Sequence, residues 1–283
     1  MEKMKTAALF DVDGTLTPPR QPITESMVRI IDRLCVPFSV AAGSHLPLLK
    51  KQFFEPLFQY GYRKKFNAFL SNGAIQYLCD FSEGLSVLPV KSFNIREFLG
   101  ESDYRFLIDT LEKTLDLSEF KLPGSLKVFD NTIVFRDSMV NFVPIGRLKV
   151  EGPEAQTNRN NFVAFDNKDR KNGYRLDVMA HLNRELAPLI EKKGLKITLG
   201  GQTSFDIGIV GKDKTNAVTT LFESGVERVV FFGDALFEGG NDYAIREFEK
   251  TWPADSPHKI ETVHVHSYKD TIDQLRQFGF LFE

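Results

Sequence analysis

"FDVDGTLT", residues 10–17, continues the apolar run TAALF (residues 6–10) and sets two carboxylates two positions apart where that run ends. So apolar a run, met directly by acidic residues, predicts a buried strand surfacing at its carboxyl end. In open α/β sheets that end is where ligands bind. Two carboxylates this close repel one another unless a cation or protons neutralise them, and hard oxygen ligands suit Mg2+. An Asp-x-Asp-Gly run can also be a plain loop of Asx turns. A second strand-like run argues against that reading: VVFFGD delivers Asp234 at its own carboxyl end, and GGND adds Asp242. Carboxylates from two strand ends can converge on one ion.

Working outward, TESMVRIIDRLC reads as a helix with Thr24 as N-cap and Met27, Ile30, Ile31 and Leu34 as its apolar stripe. PFSVAAG follows as a second strand, completing a βαβ unit and implying a parallel sheet covered by helices. FNAFLSNGAIQYL reads as two short strands about an Asn72-Gly73 turn. Residues 88–209 change character. The helical stretches YRFLIDTLEKTL and YRLDVMAHLNRELAPLIEKK flank strands within LKVFDNTIVFRD and MVNFVPIGR, the pattern of a helix-backed antiparallel sheet. From residue 210 the βα alternation resumes with KDKTNAVTTLFESG, ERVVFFGD, IETVHV and YKDTIDQLRQFGF. The expected fold is therefore α/β: a Rossmann-like parallel-sheet core built from residues 1–87 and 210–283, with an inserted α+β cap domain over 88–209. KVEGPEAQTNRNN, polar with Gly and Pro, reads as a mobile loop.

Composition narrows the function classes. Thirty-six basic residues against 38 acidic ones leave no bulk positive field, so neither nucleic acid nor an anionic membrane is an expected partner, and any anion site must be local. The opening MEKMKTAALF lacks the apolar segment and cleavage site of a secretory signal, and no stretch approaches the ~18 apolar residues of a membrane span. A cytoplasmic protein is expected. Cys35 and Cys79, without CxxC spacing, read as core thiols, and His264 and His266 as a partly exposed pair near a strand end.

DVDGT followed far downstream by a lysine and by GD…GGND resembles the haloacid dehalogenase superfamily of phosphoryl-transfer enzymes. FDVDGTLTPPRQPIT, TIVFRDSMVNFVPIGR, GGQTSFDIGIVGKDK and VVFFGDALFEGGND resemble, more narrowly, the eukaryotic-type phosphomannomutases. The resemblance implies Asp11 as the nucleophile that becomes an aspartyl-phosphate and Asp13 as general acid and then base. It implies Mg2+ held by the Asp11 and Asp234 carboxylates and the main-chain carbonyl of Asp13. Ser44 matches the hydroxyl that bonds the transferring phosphoryl group, and Lys214 the ammonium that neutralises it, with Lys212 as an alternative two residues away. Arg20, Arg136, Arg147, Ser204 and Asp206 fall on substrate-binding positions. The place of a third cap arginine holds Glu154, and Arg159 is the candidate substitute.

The implied reaction interconverts mannose 6-phosphate and mannose 1-phosphate with a hexose 1,6-bisphosphate as activator, in an enzyme that dimerises through its cap. An Mg-dependent sugar-phosphate phosphatase on the same scaffold remains the alternative, a non-catalytic sugar-phosphate sensor a third reading, and mannose is not separated from glucose. The chain departs from the family's pattern in AAGSH, where His45 replaces an acidic residue. It departs again in GDALFEGGND, which lacks the family's lysine, threonine and proline, and at Lys212, which replaces a tryptophan.

Overall fold

The computed structural model describes residues 4–19, 21–147, 152–168, 173–238 and 240–282. In chain order its strands are β1 (Thr6–Phe10), β2 (Phe38–Ala41), β3 (Lys65–Leu70), β4 (Ile75–Asp80), β5 (Ser86–Ser92) and β6 (Ile133–Phe135). Then follow β7 (Val140–Phe142), β8 (Leu195–Gly200), β9 (Ser204–Ile209), β10 (Arg228–Gly233) and β11 (Lys259–His264). The chain divides into two compact units, one comprising Met1–Ser92 with Gly211–Glu283, the other Phe93–Val210.

The first unit is built on one seven-stranded sheet in the order β11-β10-β1-β2-β3-β4-β5. The five strands from β11 to β3 are parallel, and β4 and β5 extend the sheet antiparallel. Successive residues of the central strands face opposite sides. Ala8 and Phe10 of β1 join Val230 and Phe232 of β10 in one apolar cluster. Leu9 joins Val229 and Phe231 in the other. Burial on both faces is why these strands read as unbroken apolar runs. The helix Glu25–Asp32 is capped as expected, the Thr24 hydroxyl accepting from the Met27 amide at 3.3 Å, and buries Met27, Val28 and Ile31. The turn between β3 and β4 places Ser71, Asn72 and Gly73 in succession at positive φ.

The inserted unit begins after β5, not at residue 88. The run SVLPVKS, which the sequence reading did not single out, forms β5 at the sheet edge, a position that tolerates Pro89. The unit's own sheet is antiparallel, in the order β6-β7-β9-β8, with Phe142 and Phe205 stacked 5.6 Å apart in its core. Its helices include Glu101–Asp116, Tyr174–Glu185 and Ala187–Lys193.

Two further expectations are corrected. The segment read as a mobile loop contributes most of its residues to a helix, Pro153–Lys168, with residues 148–151 outside the description. Its proline stands at the first helical position, where a missing N–H is harmless. Cys35 is exposed rather than a core thiol, whereas Cys79 is buried.

Within this unit Arg175 is largely buried against Asp166, its backbone N and Nε both donating to that carboxylate at 2.8 Å, while Nη1 donates to the carbonyls of Gly201 and Ser204. Asp166→Ala strands a buried guanidinium, so the unfolding free energy of the unit is expected to fall by about 3 kcal/mol in urea titration. Adding Arg175→Met removes the stranded charge and should restore part of that loss.

Candidate functional site

Three segments of the first unit bring acidic and basic side chains to the carboxyl edge of β1 and β10. Asp11 follows β1, its amide donating to the Phe232 carbonyl at 2.9 Å, and its side chain is buried. Lys214 precedes the helix Thr215–Glu223 and is 1 % exposed, its Nζ at 2.5 Å from both Asp11 Oδ1 and Asp242 Oδ1. Asp242 precedes the helix Tyr243–Thr251, and its Oδ2 accepts from the Ala235 amide at 3.2 Å. Carboxylate oxygens of Asp11, Asp234 and Asp242 lie within 4.8 Å of one another. The geometry thus selects Lys214 over Lys212 as the lysine at the carboxylates.

The electrostatics follow from burial. Desolvation raises the Asp11 carboxyl to about 7, against the opposing pull of Lys214. Asp234 is also raised, first by burial and then by the charge of Asp242. Burial disfavours the Lys214 ammonium, but Asp11 and Asp242 together outweigh it and its pKa rises. One ammonium among three carboxylates leaves the cluster with more negative charge than it neutralises. Hard oxygen donors, close together and short of positive charge, fit a divalent cation. Asp242 has both oxygens engaged by Lys214 and Ala235, so Asp11 and Asp234 are the carboxylates open to it.

Asp13 is exposed, in a tight turn whose Gly14 amide bonds to the Thr17 carbonyl at 3.0 Å. Gly14 has φ +90°, and a Cβ on it would stand 2.4 Å from Asp234 Oδ2. Only glycine lets the turn pass that carboxylate. Ser44 lies after β2, half-buried, and the capping position of the next helix is taken by His45, so the Ser44 hydroxyl is not spent as a cap. His264, at the end of β11, places Nε2 3.1 Å from the Asp234 carbonyl. Because a carbonyl accepts, the ring must donate there, a contact that the spacing of His264 and His266 did not reveal.

The remaining candidates lie elsewhere. Arg20 falls outside the described residues. Arg136 follows β6 and Arg147 lies five residues beyond β7, both exposed. Arg159 is exposed on the helix Pro153–Lys168, Nε 3.5 Å from Gln202 Oε1, and Glu154 pairs with Lys127 at 2.5 Å. Ser204 and Asp206 share one face of β9, as strand alternation requires. Both meet Asn141 Nδ2, at 3.1 Å from Ser204 Oγ and 2.6 Å from Asp206 Oδ1. Asn141 is buried with its Oδ1 unpartnered, and nothing in the sequence reading singled it out.

A parallel sheet carrying an acidic pair after its first strand, a buried lysine before a helix and two further aspartates after a neighbouring strand defines a haloacid dehalogenase-like core. Solved structures agree on that fold: IMP-nucleotidase of Plasmodium falciparum aligns with a TM-score of 0.59 over 97% of this chain and 68% of that one, at 14% identity. The sequence carries the assignment further. The eukaryotic phosphomannomutase family model matches residues 25–278, and the chain belongs to that family. Phosphomannomutase 2 of Dictyostelium discoideum is 31% identical over 285 residues, covering 99% of this chain and 98% of the relative. The phosphomannomutase of Saccharomyces cerevisiae is 32% identical over 255 residues, 88% of each.

Gly14→Ala tests how the turn and Asp234 depend on one another. The added methyl must displace the carboxylate, and divalent-cation affinity is expected to weaken roughly ten- to a hundredfold, read by titration calorimetry.

Proposed function

We propose that this chain is a phosphomannomutase, interconverting mannose 6-phosphate and mannose 1-phosphate through an aspartyl-phosphate on Asp11. The observation that carries the reading is the Lys214 contact. It occupies one oxygen of Asp11 and leaves the other to attack phosphorus, in a carboxylate already desolvated. The attack forms the Asp11–phosphorus bond and breaks the bond to the sugar oxygen, which leaves with a proton from Asp13. Mannose 1-phosphate then presents its free 6-hydroxyl to the phosphorylated Asp11; Asp13 takes that hydroxyl's proton, the aspartyl–phosphorus bond breaks and a 1,6-bisphosphate forms. The bisphosphate turns end for end and returns its 1-phosphoryl group to Asp11 as mannose 6-phosphate leaves. A hexose 1,6-bisphosphate phosphorylates Asp11 at the outset.

The Ser44 hydroxyl donates to a phosphoryl oxygen and Lys214 neutralises phosphoryl charge. Mg2+, held by the Asp11 and Asp234 carboxylates and the Asp13 carbonyl, would offset the repulsion between the attacking carboxylate and the phosphoryl oxygens. Arg20, Arg136, Arg147 and Arg159 are assigned to the distal phosphate, since guanidinium forks bind phosphate bidentately. Ser204 and Asp206 are assigned to sugar hydroxyls. A cytoplasmic homodimer formed through the inserted unit completes the proposal. Among the described residues no helix is long and apolar enough to cross a membrane.

The test follows two products at once. Incubated with Mg2+, mannose 1-phosphate and a catalytic amount of glucose 1,6-bisphosphate, the protein is expected to yield mannose 6-phosphate that depends on the bisphosphate, with little free phosphate. Asp11→Asn should abolish the conversion. Free phosphate without isomer would make the protein a phosphatase, and neither product would overturn the enzymatic reading.

A further inference from the structure

We infer that Gln52 is a positioning residue for Asp13, set in place by a π-helical turn, an inference that rests on the proton-transfer role proposed for Asp13. The segment after Ser44 is helical from Leu46 to Gln59 but not uniformly so: α over Leu46–Leu49, π over Lys50–Phe54 and α again over Glu55–Gln59. In a regular α-helix successive side chains point about 100° apart, so three in a row cannot all turn inward. Here Gln52, Phe53 and Phe54 are 6%, 0% and 0% exposed. Phe53 and Phe54 enter the cluster that holds Phe38, Phe66 and Phe81, while Gln52 turns toward the FDVDGTLT turn. The Gln52 carbonyl accepts from the Ile23 amide at 3.0 Å, tying the widened turn to the chain that leaves the catalytic strand. Turns of this kind are rare and occur mostly as local bulges at functional sites.

The side-chain network is directional. Gln52 Nε2 lies 3.1 Å from Asp13 Oδ1 and 3.2 Å from Thr17 Oγ1, and Thr17 Oγ1 donates to the Val12 carbonyl at 3.2 Å. The threonine's single proton is therefore committed, so its oxygen can only accept from Gln52. That fixes the amide with its NH2 end toward Asp13. One of its two hydrogens anchors on Thr17 and the other on Asp13 Oδ1. Gln52 thus holds the Asp13 carboxyl group with Oδ1 toward the amide.

The experiment exploits leaving groups. Transfer from glucose 1,6-bisphosphate to Asp11 expels a sugar oxygen that needs a proton, whereas transfer from acetyl phosphate expels acetate, which needs none. Phosphoenzyme formation from each donor is followed by acid quench and intact mass. Gln52→Leu keeps the volume and removes the donor. It is expected to slow transfer from the bisphosphate at least about thirtyfold, within the range of roughly 10²–10⁴ that a positioned acid supplies. Transfer from acetyl phosphate should change by less than about threefold, since no acid is called on in that step.

Thr17→Val provides a second variant. The Val12 carbonyl still accepts from the Leu16 and Thr17 amides, so only the amide's anchor is lost, and a smaller loss with the same donor dependence is expected. A Gln52→Leu enzyme impaired equally with both donors, or with neither, overturns the inference. Asp13→Ala separates this from failure of the underlying reading: if that variant loses both donors alike, the acid role of Asp13 fails and the inference with it. If Asp13→Ala discriminates between donors and Gln52→Leu does not, only the positioning role fails.

Discussion

The site depends on one ammonium group placed where no water reaches it. Lys214 lies within 2.5 Å of Asp11 and of Asp242 and is essentially unexposed. Burying such charges is costly unless each is paired and hydrogen-bonded. The cost is offset only if the loop before Thr215, the end of β1 and the segment after β10 arrive together. A parallel arrangement of β1 and β10 meets that condition, because both strands then deliver their aspartates at the same edge. The same ammonium decides what the carboxylates can do. It satisfies Asp242 and half of Asp11, leaving an unneutralised remainder at Asp11 and Asp234 that a cation or protons can balance.

How far this could be read from the sequence depended on whether the inward-facing residues were apolar. β1 and β10 were legible because strands buried on both faces are continuous apolar runs, and the aspartates stand where those runs stop. The helix Pro153–Lys168 was not. Its buried positions include Asn158, Phe162 and Asp166, spaced i, i+4 and i+8 along one face, but two of the three are polar. Asn158 earns that place by exchanging two hydrogen bonds with the backbone of Lys127, at 3.0 and 2.8 Å. A hydrophobic periodicity cannot register a face held inward by polar partners. Asn141 escaped notice for the same reason.

The helical turn that carries Gln52 was illegible for a different reason. Sequence patterns assume a fixed angular step per residue, and a π turn breaks it, so Gln52, Phe53 and Phe54 fit neither helical nor strand periodicity. Local rules failed where the chain departs from regular geometry to bring a polar group to Asp13. That coincidence is expected: a helix gives up ideal hydrogen bonding when another contact outweighs it.

The segment after β10 shows how the site tolerates change around it. ALFEGG replaces the lysine, threonine and proline of the family pattern, yet Asp242 still receives the Ala235 amide and still holds Lys214. Leu236 turns into the apolar cluster beneath the sheet, Phe237 is 61 % exposed, and Gly240 passes so close that a Cβ there would stand 2.0 Å from the Ala235 carbonyl. The backbone path is thus fixed by Gly240 and the buried Leu236, and by the two hydrogen bonds between residues 235 and 242. None of these requires the lost side chains. The cluster of Asp11, Lys214, Asp234 and Asp242 can therefore persist while the side chains around it vary.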